Sequence, residues 1–450
     1  MKKVITYGTY DLLHQGHINL LKRAKELGDY LIVGVTNDNF DRERGKLNVR
    51  NNVLERVESV KATGLADQII IEDYVGQKID DIQKYDVDIF AIGSDWEGKF
   101  DYLKEFCEVV YLPRTEGISS TMLRAESDRH INIGISGCGR IASRFISESE
   151  YVDAAEVTAL YDIETVQAQK LAAKKPDVAC FGSYEEMVAA VDAVYIATPH
   201  LSHYGQAKYA LQQGKHVLCE TPLVLEGAQA EELYSLAESN GLVLLEANKT
   251  AFCPAFNHLI NLVKSGMIGD VVGIDASESK LWDKSRLMRE LNPEMAGGSM
   301  YEMGSYPLLP IVKLLGTDYQ NINIYSRLNE DGVDVYTRGI MRYKSAVSSF
   351  QLGLGVKTEG NLVISGTKGY AYVPSPWWKT DYFELRYEDQ NLNKKYFYTW
   401  SEAGLRYELQ EFMSCIVNER TRSSKLTPKE SICMARVMEQ FTQQKNFFEI

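Results

Sequence analysis

The feature that most constrains the fold is an alternation of short apolar runs with helical stretches, which occurs twice along the chain. In the first series the strand-like runs include KKVITYG, DYLIVGVTND, ADQIIIED and VDIFAIGSD, and stretches such as HINLLKRAKELG lie between them. This alternation is typical of a parallel sheet whose strands are joined by crossover helices. The series stops at the polar stretch RAESDRH, residues 124–130. Residues 1–126 are therefore predicted to form one α/β domain, followed by a linker over 127–130.

A second series of the same kind begins directly after this polar stretch. INIGISG opens it, and AEVTALYD, AVYIATP, HVLCETP and LVLLEAN follow, which predicts a second α/β domain over 131–250. Beyond about Thr250 the runs are long and alternating, as in VVGIDASESKL, VDVYTRGIMRY and AVSSFQLGLG, and a terminal helix, RYELQEFMSCIVNE, is predicted to follow them. Alternating strands indicate a mostly antiparallel sheet, so residues 251–450 are predicted to form an α+β domain.

Charge and composition exclude several classes of protein. The formal net charge of −13 disfavours nucleic-acid binding, which needs a basic face. Anionic small substrates stay compatible with this charge, because an acidic protein can contain a local basic pocket. No run approaches the roughly 20 apolar residues of a membrane span, and the start MKKVITYG has no signal-peptide cleavage site. The seven cysteines include no CxxC pair, so the chain is predicted to be cytoplasmic.

The segment TYDLLHQGH, residues 9–17, contains the first candidate site. If VITYG is a strand and HINLLKRAKEL a helix, His14, Gly16 and His17 lie at the helix N-terminus, where free N–H groups and the helix dipole attract phosphate. Gly16 lets a phosphate approach the backbone, and two imidazoles can donate hydrogen bonds to charge that develops on it. Taken alone, the motif is equally compatible with a structural capping histidine.

Three later segments support a phosphate site. RERGK supplies Arg44 and Lys46, GSDWEGKF supplies Asp95 and Trp96, and YLPRTEGISSTMLR places an arginine and several hydroxyls between a strand and a probable helix. The last segment contains Arg114, Thr115, Ser119, Ser120 and Thr121. Together with GTYDLLHQGH, these segments resemble the cytidylyltransferase family, and within it the glycerol-3-phosphate cytidylyltransferases. The resemblance covers residues 1 to about 126.

The resemblance implies attack by a polyol phosphate on the α-phosphorus of CTP, with release of pyrophosphate. In that reaction His14 and His17 stabilise charge at the α-phosphate, Lys46 draws the two anions together, and Arg114 holds the outer phosphates or the acceptor. Mg²⁺ is expected to arrive on CTP without a protein metal site, and Asp11 or Asp38 would contact it indirectly. The predicted binding residues are Thr9, Tyr10, Asp11, Gly16, Asp38, Arg44, Asp95, Trp96, Thr115, Ser119, Ser120 and Thr121.

One departure bears on the acceptor. Where glycerol-specific relatives tend to carry a second arginine a little beyond Arg56, this chain reads VKATGLAD, with Gly64. A different polyol phosphate, such as a ribitol, erythritol or glycerol 2-phosphate relative, therefore stays open beside glycerol 3-phosphate.

The second domain opens with IGISGCGRIASRF, which contains a GxGxxA pattern at Gly137 and Gly139, followed by Arg140 and Ile141. A tight turn alone could explain the glycines. However, the pattern follows a strand and opens a helix, and Asp162 ends the next strand about 20 residues later. This spacing places a dinucleotide pyrophosphate over the glycines and the adenosine ribose at Asp162. A carboxylate there repels a 2′-phosphate, which favours NAD over NADP.

The segments VYIATPHLSHYGQAKYALQQGKHVLCETPLVL and MAGGSMYEMGSYPL resemble the Gfo/Idh/MocA oxidoreductase family over residues 131–450. The resemblance implies that Thr198, Pro199 and His203 lie beside the nicotinamide and that Glu220 begins the family's Glu-Lys-Pro motif. Here the motif reads ETP, so Thr221 replaces the lysine that protonates the substrate oxygen. A threonine hydroxyl is too weak an acid for this role near neutral pH.

Two residues are candidates for the missing proton donor. Lys249 ends a strand-like run, and Tyr306 occupies the position where relatives use histidine or tyrosine as the acid. A neighbouring cation is expected to lower the pKa of Tyr306. The structural alternative is a solvated Lys249 and a packed Tyr306. The pair Trp377 and Trp378 fits a pocket wall or an oligomer contact better than a catalytic role.

These patterns predict an α/β protein with a Rossmann-like nucleotidyltransferase domain, a Rossmann dinucleotide-binding domain and an α+β domain. The expected function is that of a bifunctional enzyme, which makes a CDP-polyol and interconverts a related sugar or polyol carbonyl with NAD(H). Such products supply surface polymers such as teichoic acid or capsule. The alternative is an active cytidylyltransferase with an inactive NAD-binding or dimerising module. Both resemblances imply self-association as a dimer or tetramer.

Overall fold

A computed structural model describes residues 1–37, 40–41, 49, 53–74, 76–113, 130–152, 154–175, 177–281, 289–398, 400 and 402–450. These residues form two compact units, Met1–His130 and Ile131–Ile450. Within the described ranges, every helix is too short or too polar to cross a bilayer. The predicted fold class is confirmed, with two parallel sheets followed by a mixed, mostly antiparallel sheet.

The first unit is built on five parallel strands in the order β3-β2-β1-β4-β5. The strands are β1 Lys3–Gly8, β2 Tyr30–Thr36, β3 Gln68–Glu72, β4 Ile89–Gly93 and β5 Glu108–Leu112, and the helices are α1 Gln15–Lys25, α2 Val53–Ala62 and α3 Gln77–Tyr85. After β1 the chain continues to β2 and β3 on one side, and then crosses to β4 and β5 on the other. The strand order therefore reverses between β1 and β4, where α/β sheets bind ligands.

The strands of this unit read as continuous apolar runs because helices cover both faces of the sheet. Val4 and Ile5 of β1 are both fully buried although they point to opposite faces, and Leu21 of α1 is buried against the same sheet. The packed core holds the carboxyl ends of β1 and β4 in fixed positions, which is what a site at this edge needs.

The second unit begins with six parallel strands in the order β11-β10-β9-β6-β7-β8. They are β6 Ile131–Ser136, β7 Ala155–Tyr161, β8 Ala179–Cys180, β9 Ala193–Ile196, β10 His216–Glu220 and β11 Leu244–Ala247. The helices among and after them are α4 Arg140–Ser149, α5 Thr165–Ala172, α6 Tyr184–Ala189, α7 His200–Gln212, α8 Gly227–Ser239 and α9 Lys249–Phe252. This order places the switch point between β6 and β9, so the loops after these two strands face the same crevice.

A nine-stranded sheet completes the second unit, in the order β19-β18-β17-β16-β12-β15-β14-β13-β20. Its strands are β12 Val271–Lys280, β13 Asn321–Leu328, β14 Asp334–Arg342, β15 Val347–Leu354, β16 Leu362–Gly366, β17 Tyr370–Val373, β18 Tyr382–Arg386, β19 Lys394–Phe397 and β20 Phe447–Glu449. The helices are α10 Pro254–Lys264, α11 Ser299–Met303, α12 Ser305–Leu315, α13 Leu405–Val417 and α14 Pro428–Thr442.

The structure differs from the sequence prediction in two ways here. The pairs β12–β15 and β13–β20 are parallel within a mostly antiparallel sheet. The predicted terminal helix is α13, but it does not end the chain, because α14 and β20 follow it. Helix α14 starts with a proline and a capping box in which Thr427 and Glu430 satisfy each other's backbone N–H groups.

The hydrophobic core of the second unit is continuous across residue 250. Ile133 and Phe145 of the parallel layer belong to the same buried cluster as Phe256, Phe350 and Phe412 of the later elements. The two layers therefore fold against one another, and residues at the carboxyl end of the parallel sheet meet residues from α12, α13 and β12.

Candidate active sites

The loop between β1 and α1 has an unusual backbone. Tyr10 and Leu12 have positive φ angles of 54° and 45°, which non-glycine residues adopt at a cost of about 1–3 kcal/mol. Gly8 permits this path, since a Cβ atom there would lie 2.9 Å from the Tyr10 ring. Tyr10, predicted as a binding residue, is 2% exposed and packs its ring against the edge of His17. The strained β1–α1 loop therefore positions His14 and His17 at the start of α1.

His14 and His17 lie together at the N-terminus of α1. His14 is the N-cap residue, and its Nδ1 accepts a hydrogen bond of 3.1 Å from the N–H of Gly16. The two rings stack with their centres 3.9 Å apart and an angle of 19° between them. Since Nδ1 of His14 is an acceptor, the neutral ring carries its proton on Nε2. The capping and phosphate-binding interpretations are therefore compatible, because one nitrogen caps the helix and the other can donate.

Arg56, a buried arginine that the sequence prediction did not identify as functional, holds the backbone of this loop through hydrogen bonds. Arg56 of α2 is fully buried and donates to the carbonyl oxygens of Thr9, at 2.7 Å, and Thr36, at 2.8 Å. The same nitrogen lies 3.0 Å from Oδ2 of Asp41, whose Oδ1 accepts from the hydroxyl of Thr9 at 2.7 Å. The predicted binding residue Thr9 thus ties the end of β1 to Arg56 and Asp41. Only the burial pattern of α2 could have indicated this role.

The loop after β4 lies at the same edge of the sheet. Asp95 is exposed and Trp96 is half-buried in the short turn Ser94–Trp96, directly after β4. The Trp96 ring lies 5.8 Å from the ring of Phe100, and Nζ of Lys99 lies 5.2 Å from it. The ring is thus held on its inner side and has a solvent-facing side. Asp11, on the β1–α1 loop, is buried.

The predicted residues of the β1–α1 loop and those after β4 therefore lie at the same edge of the sheet, after the two adjacent strands that flank the switch point. The remaining predicted residues of this site lie outside the described residues; they are Asp38, Arg44, Lys46, Arg114, Thr115, Ser119, Ser120 and Thr121.

The glycine loop of the second unit connects β6 to α4. Gly137 has a φ of 89°, and a Cβ atom there would lie 2.6 Å from the carbonyl oxygen of Ala197. Only glycine fits where this loop passes the end of β9. Gly139 is the N-cap of α4, and a Cβ atom there would meet nothing within 4 Å. Arg140 is exposed at the first turn, and Ile141 packs against the core.

Asp162 follows β7 at the next strand end. Its Oδ2 accepts a hydrogen bond of 2.7 Å from the N–H of Cys138, inside the glycine loop, and its Oδ1 accepts one of 2.8 Å from the N–H of Glu164. A carboxylate has about four acceptor positions, so it can still bind hydroxyl groups. The open helix start and this anchored carboxylate fit the pyrophosphate and ribose of a dinucleotide.

The predicted nicotinamide-side residues lie at the start of α7. Pro199 is its N-cap residue, and the Thr198 hydroxyl donates to Gln206 at 3.1 Å. His203 is fully buried, with its ring nitrogens 2.9 Å from the carbonyl oxygen of Pro222 and 2.8 Å from that of Thr198. Burial lowers the pKa of His203 to about 4, so the ring is neutral. A neutral ring has one N–H, so His203 donates to one of these two carbonyl oxygens and packs against the other from within the core.

Glu220 ends β10 at the same edge. It accepts a hydrogen bond from the Tyr195 hydroxyl, and burial raises its pKa. Thr221 occupies the position of the family lysine and donates to Oε1 of Glu246 at 2.9 Å. The threonine hydroxyl is therefore engaged with a buried carboxyl group rather than available as an acid.

Lys249 and Tyr306 come together from α9 and α12. Nζ of Lys249 lies 5.9 Å from the centre of the Tyr306 ring. The pKa of Tyr306 is raised well above its usual value, first by burial and then by the neighbouring carboxyl groups of Glu220, Glu278 and Glu408. The expectation that a cation lowers this pKa was wrong, because the surrounding carboxyl groups and the loss of solvent outweigh Lys249.

Two of these carboxyl groups were not predicted from the sequence. Glu408 of α13 is fully buried, and neither of its carboxyl oxygens has a hydrogen-bond partner among the described residues. Glu278 of β12 is 1% exposed, and its Oε2 likewise lacks one within that part of the chain. Burial raises the pKa of Glu278 to about 7 and that of Glu408 well above its usual range. The sequence could have indicated these two groups only through a glutamate at a position of β12 or α13 that is otherwise expected to be buried.

Comparisons with known proteins divide the chain into the same two parts. Residues 5–126 match the family described as Cytidylyltransferase-like. The glycerol-3-phosphate cytidylyltransferase of Bacillus spizizenii is 53% identical over 126 residues, which cover 28% of this chain and 97% of that protein.

The second unit matches two descriptions. Residues 131–248 match the oxidoreductase family with an NAD-binding Rossmann fold, and residues 256–372 match the GFO/IDH/MocA C-terminal domain. The scyllo-inositol 2-dehydrogenase (NADP(+)) of Bacillus subtilis is 29% identical over 320 residues, 70% of this chain and 97% of that protein. A 3-ketoreductase from Actinomadura kijaniata, crystallised with NADP and TDP-benzene, shares the fold with a TM-score of 0.64 at 20% identity, over 72% of this chain and all of that one. The chain therefore belongs to the cytidylyltransferase family through its first unit and joins to it a GFO/IDH/MocA oxidoreductase, so that one polypeptide carries a nucleotidyltransferase and an NAD(P)-dependent oxidoreductase.

Proposed function

We propose that the first unit transfers a cytidylyl group from CTP to a polyol phosphate, with glycerol 3-phosphate as the first candidate, to give a CDP-polyol and pyrophosphate. The observation that carries this proposal is the stacked pair of His14 and His17 at the start of α1, at the switch point of the sheet. The name of the Bacillus spizizenii relative supports the acceptor class. Gly64 keeps other polyol phosphates within the proposal.

In this reaction the acceptor phosphate attacks the α-phosphorus in line with the bond to pyrophosphate, and the protein positions two anions and stabilises charge. Nε2–H of His14 and the ring of His17 donate to the α-phosphate oxygens, where negative charge builds up. Lys46 is assigned to drawing the two anions together, and Arg114 to holding the outer phosphates or the acceptor. Trp96 is assigned to the cytosine end of the nucleotide. Mg²⁺ bound to CTP supplies further charge neutralisation on the leaving phosphates.

The test is pyrophosphate release from CTP by the full-length protein across a panel of glycerol 3-phosphate, glycerol 2-phosphate, erythritol 4-phosphate and ribitol 5-phosphate. One acceptor is expected to exceed the others clearly in kcat/KM. Release at an equal rate without any acceptor would overturn the transferase assignment, because it would indicate hydrolysis.

For the second unit we propose reduction of a sugar or polyol carbonyl, with NAD(H) favoured over NADP(H). The bound dinucleotide supplies the hydride in this chemistry. Asp162 supports the preference, because its carboxylate lies where a 2′-phosphate would meet negative charge. The Bacillus subtilis relative is named for NADP(+), so a comparison of KM for NADH and NADPH is the decisive measurement.

The residues proposed to handle the substrate proton are Tyr306 and Lys249. Tyr306 remains protonated throughout the physiological pH range because burial and nearby carboxyl groups raise its pKa. It can therefore donate its proton to the carbonyl oxygen as the hydride adds to the carbonyl carbon. The Lys249 ammonium, near its ring, stabilises the resulting tyrosinate and returns a proton to it. Glu220 keeps a carboxyl group beside them at the end of β10.

The competing candidate is an inactive cofactor-binding or dimerising module. Thr221 favours it, because the usual acid is missing and the threonine is bonded to Glu246. Turnover decides between the two: Y306F and K249M are expected to lower carbonyl reduction by roughly 10²-fold or more while CTP turnover is unchanged. Reduction that persists in both variants would show that other residues supply the proton.

We further propose that the two activities feed one product, a precursor of a surface polymer such as teichoic acid or capsule, made in the cytoplasm by a dimer or tetramer. Residues 1–126, 131–250 and 251–450 are the proposed functional parts. Light scattering on the purified chain tests the oligomeric state, and a monomer at working concentration would refute it.

A further inference from the structure

Four basic side chains interact electrostatically near the candidate reduction site, on a chain whose formal net charge is −13. They belong to four different elements: Arg144 to α4, Lys249 to α9, Lys280 to the end of β12 and Lys379 to the turn Trp377–Lys379. We call these four residues the basic cluster. A local concentration of positive charge attracts negative ligands, even on an acidic protein.

Hydrogen bonds hold the elements of the cluster against one another. The hydroxyl of Thr250, next to the α9 lysine, donates to the carbonyl oxygen of Trp378 at 2.7 Å. Nε1 of Trp377 donates to the carbonyl oxygen of Ser277 on β12 at 3.0 Å. Trp377 is fully buried, so of the two alternatives for the tryptophan pair, a pocket wall or an oligomer contact, burial disfavours the second for this ring. The turn Trp377–Lys379 is therefore fixed between α9 and β12.

The charges of the cluster act on one another. The pKa of Lys379 is lowered, first by burial and then by the positive charges of Lys249, Arg144 and Lys280. Lys249 and Lys379 are half-buried, while Arg144 and Lys280 are exposed. Among the residues that the structure describes, no carboxylate forms an ion pair with Arg144, Lys249 or Lys379. The carboxyl groups of Glu220, Glu278 and Glu408 interact with Lys249, whereas Lys379 is affected by burial and by other cations alone. An anion placed beside Lys379 would relieve that repulsion.

The basic cluster supplies hydrogen-bond donors, and two carboxyl groups supply acceptors. The carboxyl groups of Glu278 and Glu408 are buried and retain oxygens without partners among the described residues. The charge of Lys249 acts on both groups. Carboxyl oxygens accept hydrogen bonds from hydroxyl groups, so the same region can bind a phosphate on one side and hydroxyls on the other.

We infer that the substrate of the second unit is a phosphate ester of a ketose or polyol, with its phosphate bound by the basic cluster and its hydroxyl groups by Glu278 and Glu408. This inference rests on the proposed oxidoreductase function. In the reaction the carbonyl carbon gains a hydride from NAD(P)H and the carbonyl oxygen gains a proton, so the phosphoketose becomes a polyol phosphate and NAD(P)⁺ forms. That product belongs to the class of acceptor proposed for the first unit.

The experiment follows oxidation of NADH and NADPH by the full-length protein with dihydroxyacetone phosphate, erythrulose 4-phosphate and ribulose 5-phosphate, each beside its unphosphorylated ketose. At least one phosphate ester is expected to exceed its partner by roughly 100-fold in kcat/KM, since two or more charge-assisted hydrogen bonds are lost with the phosphate. Glycerol 3-phosphate, CDP-glycerol and glycerol, oxidised with NAD⁺ and NADP⁺, distinguish a phosphomonoester from a nucleotide-linked phosphate.

Variants locate the phosphate. K379A and K280A are each expected to raise KM for the phosphate ester roughly tenfold with little change in kcat and in KM for NADH. The control is K344A, because Lys344 lies in the turn before β15, at the end of the β12–β15 pair opposite to Lys280. K344A is expected to behave as the unmodified protein.

Several results would overturn the inference. Equal kcat/KM for the phosphorylated and free ketoses would do so, as would KM values that K379A and K280A leave unchanged. If no ketose is reduced, calorimetric titration of the NAD⁺-loaded protein with each phosphate ester separates the two proposals. Saturable binding that K379A weakens keeps the phosphate site and refutes the redox function, whereas the absence of binding refutes the phosphate site.

Discussion

The two units share one local arrangement, in which a strand, a short loop and a helix N-terminus lie at the switch point of a parallel sheet. They differ in the residues that this loop contains. In the first unit the loop after β1 places the side chains of His14 and His17 at the helix start. In the second unit the loop after β6 is reduced to backbone at Gly137 and Gly139. Transfer of a nucleotidyl group needs donors for charge that develops during the reaction, whereas binding a dinucleotide needs only close approach of its pyrophosphate.

The largest expected effect tests the side-chain version of this design. H14A/H17A is expected to lower CTP turnover by at least ~10³-fold, since loss of a single donor to a developing oxyanion costs about 10²–10³. Dinucleotide binding to the second unit should not change. Q15A, on the exposed side of the same helical turn, is the matched control. Full-speed transfer by the folded double variant would refute the role of the histidines.

The second prediction concerns what holds the histidine loop in place. R56M is expected to destabilise the first unit by about 3–5 kcal/mol, because it leaves Asp41 buried without its arginine. K61M on the same helix removes an exposed pair, with side chains 68% and 70% exposed, and should change stability by less than about 1 kcal/mol.

Urea unfolding followed on the first unit measures both effects. R56M/D41N is expected to be more stable than R56M alone, because position 41 then carries no buried charge that has lost its ion pair with Arg56. Equal stability of R56M and K61M would show that the buried pair contributes nothing.

The third prediction uses pH to contrast Asp41, which forms an ion pair with Arg56, with Glu278, whose Oε2 lacks a hydrogen-bond partner among the described residues. Glu278 has a pKa raised by burial from 4.5 to about 7. Between these values the unfolded chain loses a proton that the folded chain keeps, so stability falls as pH rises from 4.5 to 7 and is constant above. E278Q is expected to remove about 3 kcal/mol of this loss at pH 8.

Thermal melts of the second unit at pH 5 and pH 8 check the sign. The Tm gain of E278Q over the unmodified protein should be larger at pH 8. E388Q, which changes an exposed glutamate of the same unit, is the control and should show no such difference. A larger gain at pH 5 would contradict the assignment.

The sequence predicted the parts of the molecule that are encoded locally. The alternation of strands and helices gave both parallel sheets, and His14, Gly16 and His17 are close in the structure because they are close in the chain. Lys249 and Tyr306 were identified through a family pattern, which the structure brings together.

The remaining features depend on tertiary packing. Arg56, Glu278 and Glu408 face their sites only because distant elements cover them, and a single sequence does not reveal which charged residue becomes buried. The rise in the pKa of Tyr306 has the same origin, since its carboxyl neighbours come from β10, β12 and α13. Parallel pairing of β12 with β15 also joins strands that are far apart in the chain.

The smallest expected effect tests the backbone version of the design. In G137A the new methyl group would lie 2.6 Å from the Ala197 carbonyl oxygen at a φ of 89°, so both stability and dinucleotide affinity should fall, the first by about 1–3 kcal/mol. In G139A the methyl group meets nothing within 4 Å and the backbone is extended, so stability should be kept.

The affinity of G139A for NADH is nevertheless expected to fall roughly tenfold, about 1.4 kcal/mol, because the methyl group fills the space above the helix start that a pyrophosphate needs. Fluorescence titration with NADH and thermal melts separate the two effects. If G139A binds NADH as tightly as the unmodified protein, the pyrophosphate does not lie over α4. The proposed role of the β6–α4 loop, which binds through its backbone alone, would then be refuted. The role of the side chains in the β1–α1 loop would still be decided by the histidine variants.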